Sequence, residues 1–484
     1  MAQAVSYKLD TELPASYMEK LFVFMYTQYL LPQKQRFTNF YRETTDGVPF
    51  LSYVVLDVQG KQLLKVEVKG TIPIEVKLIP IDASVSAVTM EEAKQDIVIA
   101  VEIFEGNARK ATLYFAWREG EEIVPEELRK KEKSFRRLFL ETQILFFVVF
   151  IVFGMAIFIV LITLYPQAFW IAPLILIAVQ FVFVFYSTKF ISRTADWHIT
   201  KANPIIHLLK YNLPIKSNDE LEQTLSRDEI LAIKKEIYHE ILVKRGEIDC
   251  SAAQKVFEKN GIACQPENMA AKKVNVYEIV KRVADKFGFP MPEIVVSNTM
   301  VPNAAASGPS PSRGMVLITT GLLVQLEEPE IISVLGHEFG HLKGRDPLLL
   351  YGLTSAEFLF RFYVLFTFFP FIFYSFLFFA YFWAVMVVIF FIAKFFEARA
   401  DLVSAIMIGQ PEVLAGALEK IGFQRLLYER TPSFRLQEWL GLDPHPPIYF
   451  RVDRLEKLKA PEKIKRPLIQ SIKDVVSGFK DSLV

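Results

Sequence analysis

At 484 residues the chain exceeds what one compact core accommodates, and a prior of one domain per ~150 residues suggests about three units. A hydrophobic content of 52%, 43 phenylalanines and a mean hydropathy of +0.27 lie above soluble averages and point to an integral membrane protein. A net charge of +1 leaves no electrostatic footprint for nucleic acid or an acidic partner.

In chain order, residues 1–137 read as a soluble α+β domain. An amphipathic helix from about Ser16 to Leu30 precedes the β-type runs PFLSYVVLDV, KQLLKVEVKG, IEVKLIPI, DIVIAVEIF and ATLYFAWR, whose β-branched and aromatic content fits an antiparallel sheet. The N-terminus mixes acidic and basic residues before any apolar run, unlike a cleaved signal peptide, so membrane entry is expected from internal segments. Residues 138–192 form the first such segment. No charge occurs from Thr142 to Thr188, and YPQAFW with Pro166 divides the stretch into helices of roughly Ile144 to Leu164 and Phe169 to Lys189.

Residues 193–270 read as a helical connector. Ser226 and Glu229 make a capping box ahead of LAIKKEIYHEILVKRG, Gly246 is a stop, and SAAQKVFEKNG ends at Gly261. His198, His207 and His239 stand at no ligand spacing, and Cys250 and Cys264 read as reduced cytosolic thiols. In 271–346 a helix stopped near Gly288 is followed by strands at EIVVSN and MVLITT, then by a helix opened by Pro329 that carries VLGHEFGHLKGRD. A second apolar hairpin spans 347–394 with its turn near Pro370, and 395–484 returns to soluble helices and a basic tail.

On a helix, positions i and i+4 share a face, so His337 and His341 can aim imidazole nitrogens at one ion. Glu338, offset by one residue, can reach a water on that ion, the arrangement a hydrolytic zinc site needs. A catalytic zinc takes a third protein ligand, for which FFEARAD offers Glu397, with Asp401 one turn on to hydrogen-bond a ligand histidine. For these residues to meet, the chain between them must leave the site and return, and the intervening apolar block is long enough for two spans of ~20 residues. Glu357 and Arg361 fall inside the first of these as an i,i+4 pair, either a structural ion pair or a polar lining of a substrate path. Arg129, Lys130, Lys131, Lys133, Arg136, Arg137, Lys189 and Arg193 flank the first hairpin, while the turns at Pro166 and Pro370 are uncharged, so the soluble parts are expected on the cytoplasmic side.

HEFGH, the glutamate of FFEARAD beyond a hydrophobic hairpin, PNAAASG and HPPIYFRVDRL together resemble the HtpX family of membrane zinc metalloproteases, gluzincins related to CAAX prenyl endopeptidases. The likeness covers Val274 to Leu458 and the preceding hairpin. It implies His337, His341 and Glu397 as ligands of one Zn2+ and Glu338 as general base and acid, taking a proton from a water that zinc brings towards a pKa of ~7. It also implies a substrate-clamping edge strand, usually written NAFATG, at Asn303, Ala304, Ala305, Ala306, Ser307 and Gly308, with Ala305 in place of the usual aromatic. His445 is implied as an oxyanion contact and Arg451 as a substrate contact.

The resulting expectation is an α+β integral membrane protein with two transmembrane hairpins (four spans), a mainly helical zincin-type metalloprotease domain with a small edge-strand sheet, and an N-terminal α+β domain. Its partners are the lipid bilayer of the plasma membrane and a polypeptide substrate, a membrane or membrane-associated and misfolded protein, with no nucleic acid. Two rivals stand beside this endopeptidase reading. One is processing of prenylated CAAX motifs, which calls for an enclosed chamber with more spans. The other is a non-proteolytic scaffold or sensor with a vestigial metal site, for which Glu338 would be superfluous.

Overall fold

The computed structural model describes residues 4–118, 163–212, 227–243, 250–260, 268–429 and 432–483, except 10, 12, 58, 83, 84, 111 and 374, together with 156, 159 and 160. They fall into two compact units, Met1–Trp117 with His207–Lys273 and Arg118–Ile206 with Val274–Val484.

In the first unit, β1 (Val5–Leu9), β2 (Phe37–Thr45), β3 (Val48–Leu56), β4 (Gln62–Lys69) and β5 (Ile74–Pro80) form an antiparallel sheet in the order β1-β5-β4-β3-β2. Period-2 alternation explains its inner face: Leu64, Val66 and Val68 of β4 and Ile74, Val76 and Leu78 of β5 are buried, while Glu75 and Lys77 are exposed. Asp46 and Gly47 turn the β2–β3 hairpin with φ of 51° and 75°, the left-handed pair a tight two-residue connection requires.

DIVIAVEIF is not a strand, as its β-branched residues suggested, but lies within a helix, Ala87–Lys110. Ala93, Ile97, Ala100, Val101, Phe104 and Ala108 are buried at three- and four-residue spacing, and that longer period outweighs local strand propensity. With the helix Met18–Phe24 it packs on the sheet. Its buried Asp96 accepts from Tyr29 Oη (2.7 Å) and Arg36 Nη2 (2.9 Å).

The region expected as a helical connector, 193–270, also contains strands. Of β6 (Thr112–Arg118), β7 (Trp197–Ile199), β8 (Ile205–Asn212) and β9 (Met269–Asn275), three form a sheet in the order β6-β8-β9. Residues His207–Lys273 therefore fold with the N-terminal segment instead of bridging separate bodies. Helices Arg227–Ile237 and Cys250–Lys259 lie in this stretch, whereas Ser226, Gly246 and Gly261 lie outside the described residues.

In the second unit, β10 (Glu293–Ser297), β11 (Ala304–Ser307) and β12 (Met315–Thr319) join β7 in a mixed sheet, order β11-β12-β10-β7, with β10 and β12 parallel and β11 antiparallel at the edge. The helix Glu328–Gly344 begins with Glu327 and Glu330 capping each other's backbone and Pro329 in the first turn. It stops at Arg345, whose φ of 55° breaks the helical path. The chain then climbs as Asp346–Phe360, continues through a π-helical turn at Arg361–Leu365, reverses at Pro370–Ile372 and returns as Leu377–Ile408.

Among the described residues, two helical stretches, Asp346–Phe368 and Leu377–Ile408, are long and apolar enough to cross a bilayer. Their apolar surface faces outward, with Phe368 and Phe379 each 70% exposed, as lipid but not water tolerates. A third helix, Ala172–Thr194, packs against the first of them, Tyr351 Oη donating to the Ile177 carbonyl, although its apolar part is shorter. Most of the expected span Ile144 to Leu164, and the basic run before it, lie outside the described residues. Within the hairpin, Glu357 accepts from Arg361 Nη2 (3.1 Å) and, across to the return helix, from Tyr381 Oη (2.9 Å). A charged pair sealed by a cross-helix hydrogen bond is how such groups persist in an apolar environment.

Candidate metal centre

The site is built where the helix Glu328–Gly344 packs against the returning helix Leu377–Ile408. Glycine makes the approach close. A Cβ at Gly336 would lie 2.6 Å from Ile408 Cγ1 and Ser404 Oγ, and one at Gly340 would lie 3.0 Å from Ala400 Cα. With these positions bare, the neighbouring His337 and His341 reach the carboxylate of Glu397 on the facing helix.

The donor atoms converge. Nε2 of His337 and Nε2 of His341 are 3.1 Å apart, and the Glu397 oxygens lie 3.4 Å and 3.3 Å from them respectively. A tetrahedral ion with bonds of ~2.0–2.2 Å separates its donors by about 3.3–3.6 Å, so one atom from each of the three residues fits around one small divalent cation. Glu397 Oε2 is buried without a hydrogen-bond partner, a cost that a cation removes. The donor set, two imidazoles and a carboxylate, suits zinc.

Both rings are held from behind. His337 Nδ1–H donates to Asp401 Oδ1 and His341 Nδ1–H donates to Asp346 Oδ2, each at 2.8 Å, which leaves both Nε2 lone pairs free to face the centre. Burial opposes charge on either ring. Even so, Asp401 and Glu397 raise the pKa of His337, and Glu397 with Asp346 raises that of His341 well above its ordinary value. The surroundings are thus poised for positive charge at the centre.

Arg451, expected as a substrate contact, is turned onto Asp401. It is 4% exposed, and its Nε and Nη2 donate to Asp401 at 2.9 Å and 2.7 Å. Burial works against its charge, but Asp401 keeps the guanidinium more firmly protonated than an ordinary arginine. Arg451→Met strands the Asp401 carboxylate in the interior, so the expected loss of stability is ~3–5 kcal/mol. Thermal unfolding of the metal-free chain measures it.

Glu338 points to the other side. Its Oε2 accepts the Ala306 N–H of the edge strand β11 at 2.9 Å, so the carboxylate, next in sequence to His337, reaches the free strand edge. Ala304 and Ala306 share one side of β11 by strand alternation. Asn303 is turned towards β12, its N–H donating to Thr319 Oγ1 (2.8 Å), and Ala305 pairs with Leu317.

His445 approaches from the C-terminal segment, its Nε2 3.6 Å from Glu397 Oε2. Asp443 fixes it by accepting both its backbone N–H (2.7 Å) and its Nδ1–H (2.9 Å). Lys394, on the return helix, donates to the Asp443 carbonyl, and Arg425 Nη1 is 3.1 Å from the Asp443 carboxylate. A ring that donates Nδ1–H to Asp443 can donate from Nε2 only as the imidazolium. Sequence spacing does not point to Asp346 or Asp443. For Asp346 the available signal was an acid five residues beyond His341, which on an unbroken helix would face away.

Residues 270–459 match the family described as Peptidase family M48. The chain is similar to Protease HtpX homolog 2 of Methanosarcina acetivorans, 31% identical over 218 residues that cover 38% of this chain and 72% of that protein. It is also similar to Protease HtpX homologs of Desulforapulum autotrophicum (31% identical; 37% and 67% covered) and Gemmatimonas aurantiaca (29% identical; 38% and 76% covered).

Proposed function

The chain belongs to peptidase family M48 as an HtpX-like membrane metallopeptidase, and from that premise we propose that it is a four-span zinc endopeptidase. Its substrates on this reading are membrane or membrane-associated, misfolded polypeptides, cleaved at the cytoplasmic face of the plasma membrane. The observation that carries it is the convergence of His337, His341 and Glu397 beside a carboxylate, Glu338, that reaches the free edge of β11.

His337, His341 and Glu397 would hold the zinc, which when bound would supply a Lewis acid and a water acidic enough to lose a proton near neutral pH. Glu338 would take a proton from the attacking water and deliver it to the departing amine nitrogen, the usual duty of a carboxylate beside the site. An extended substrate adds to β11 as a further strand, with backbone hydrogen bonds from the side shared by Ala304 and Ala306. The small side chains of Ala304, Ala305 and Ala306 let a second backbone come close. His445, held by Asp443, faces the site with Nε2 and stands where it can contact the carbonyl oxygen as negative charge develops there. Asp401 and Arg451 hold the His337 ring in place.

Cytoplasmic orientation rests on the basic residues flanking the first hairpin and the uncharged turns at Pro166 and Pro370. The function is tested by incubating the purified full chain in detergent with an unfolded membrane protein and with a prenylated CAAX peptide. Cleavage of the former that stops with chelator and returns with zinc is the expected result. Selective cleavage of the prenylated peptide, or no zinc-dependent cleavage of either, overturns this reading.

A further inference from the structure

We propose that Asp346 and Arg399 form a latch that ties the two ends of the membrane hairpin to the orientation of His341. They would be positioning residues for the metal. The proposal rests on reading His337, His341 and Glu397 as a metal site.

Asp346 is the first residue of the ascending helix, and Arg399 stands two residues past Glu397 on the returning one. Arg399 Nη2 donates to both Asp346 oxygens at 2.5 Å, and one of those oxygens, Oδ2, also accepts His341 Nδ1–H at 2.8 Å. The side chains of Asp346 and Arg399 are only 5% and 10% exposed, so water does not compete for these bonds.

The local backbone is shaped for this contact. On an unbroken helix, a residue five positions after His341 would point roughly 140° away from it. The left-handed Arg345, with φ 55°, ends one helix, starts the next and swings Asp346 back beneath the histidine. The guanidinium occupies the space above Gly344, where a Cβ would fall 1.6 Å from Arg399 Nη2. A strained non-glycine turn and an obligatory glycine therefore serve one interaction.

An aspartate alone would orient the ring. Adding Arg399 fixes that aspartate to the far end of the hairpin, so separation of the two helix ends withdraws Asp346 from His341. His337 has the matching arrangement in Asp401 and Arg451, but both of those follow the hairpin in sequence. The His337 branch crosses the hairpin at the ring's own bond to Asp401, whereas in the His341 branch the crossing contact is the Asp346–Arg399 pair behind the ring.

The test uses the purified full chain in detergent, with zinc affinity measured by chelator competition, the visible absorption of the Co2+-substituted protein, and metal-free melting. Asp346→Asn is expected to weaken zinc binding about 10–100-fold and to alter the Co2+ spectrum. Arg399→Met should lower both affinity and melting temperature because it leaves Asp346 buried and unpaired. The double variant Asp346→Asn/Arg399→Met removes the stranded charge, so melting recovers while affinity and spectrum do not. Recovery of wild-type affinity in the double variant would mean a purely structural ion pair and overturn the latch. Wild-type affinity in Asp346→Asn would do the same. Absence of zinc uptake by the wild type would remove the metal site and the latch together, an outcome separate from any failure of proteolysis.

Discussion

Glu338→Gln lowers peptide hydrolysis by about 10²- to 10⁴-fold, the usual contribution of a positioned proton carrier, while zinc stays bound. The amide has the carboxylate's shape and can still accept the Ala306 N–H, so the edge strand and the helix keep their contact. It cannot take a proton from water or return one to the leaving nitrogen. Glu338 also contributes no atom to the cluster of His337, His341 and Glu397, which is why metal content is expected to stay unchanged. Turnover and zinc content measured on the same preparation check both halves. A variant that hydrolyses peptide at the wild-type rate would remove Glu338 from the mechanism.

Glu397→Ala acts on the metal itself. Zinc binding worth roughly 10–16 kcal/mol, shared among three protein donors, assigns several kcal/mol to each, so affinity falls on the order of 10³-fold. Hydrolysis then disappears at zinc concentrations that saturate the wild type and returns in part only at large excess. The loss goes beyond one bond, because Glu397 also stands against both histidines and His445. Equilibrium dialysis at graded zinc gives the affinity, and an unchanged value would exclude Glu397 as a ligand.

The core of the candidate site was legible because its information is local. Two histidines four apart on a helix can face one ion whatever surrounds them, and a glutamate beyond an apolar block of hairpin length can rejoin them. Partner identity across long separations was not. Arg451 could have met substrate or support by its sequence, and only folding reveals that its guanidinium is spent on Asp401. Asp346 carries no helical spacing to His341 that sequence could show, because the helical geometry relating the two is broken at Arg345.

The fold shows the same division. Strands with strict alternation, such as β4 and β5, could be read directly, whereas DIVIAVEIF required a window long enough to expose its three- and four-residue period. Strand β8, inside a stretch that reads as helical, joins β6 and β9 through backbone bonds that leave little trace in side-chain pattern. The mutual approach of the two site helices was visible only as glycines at Gly336 and Gly340. Their meaning depends on Ser404, Ile408 and Ala400, dozens of residues away.

X-ray absorption at the zinc edge, on the full chain purified in detergent, tests the central claim most directly. The expected result is one zinc per chain bound by two imidazoles and oxygen donors, with first-sphere distances of ~2.0–2.2 Å and no sulfur. Zinc held by thiolate, or a chain that retains no zinc, would contradict a centre built from His337, His341 and Glu397.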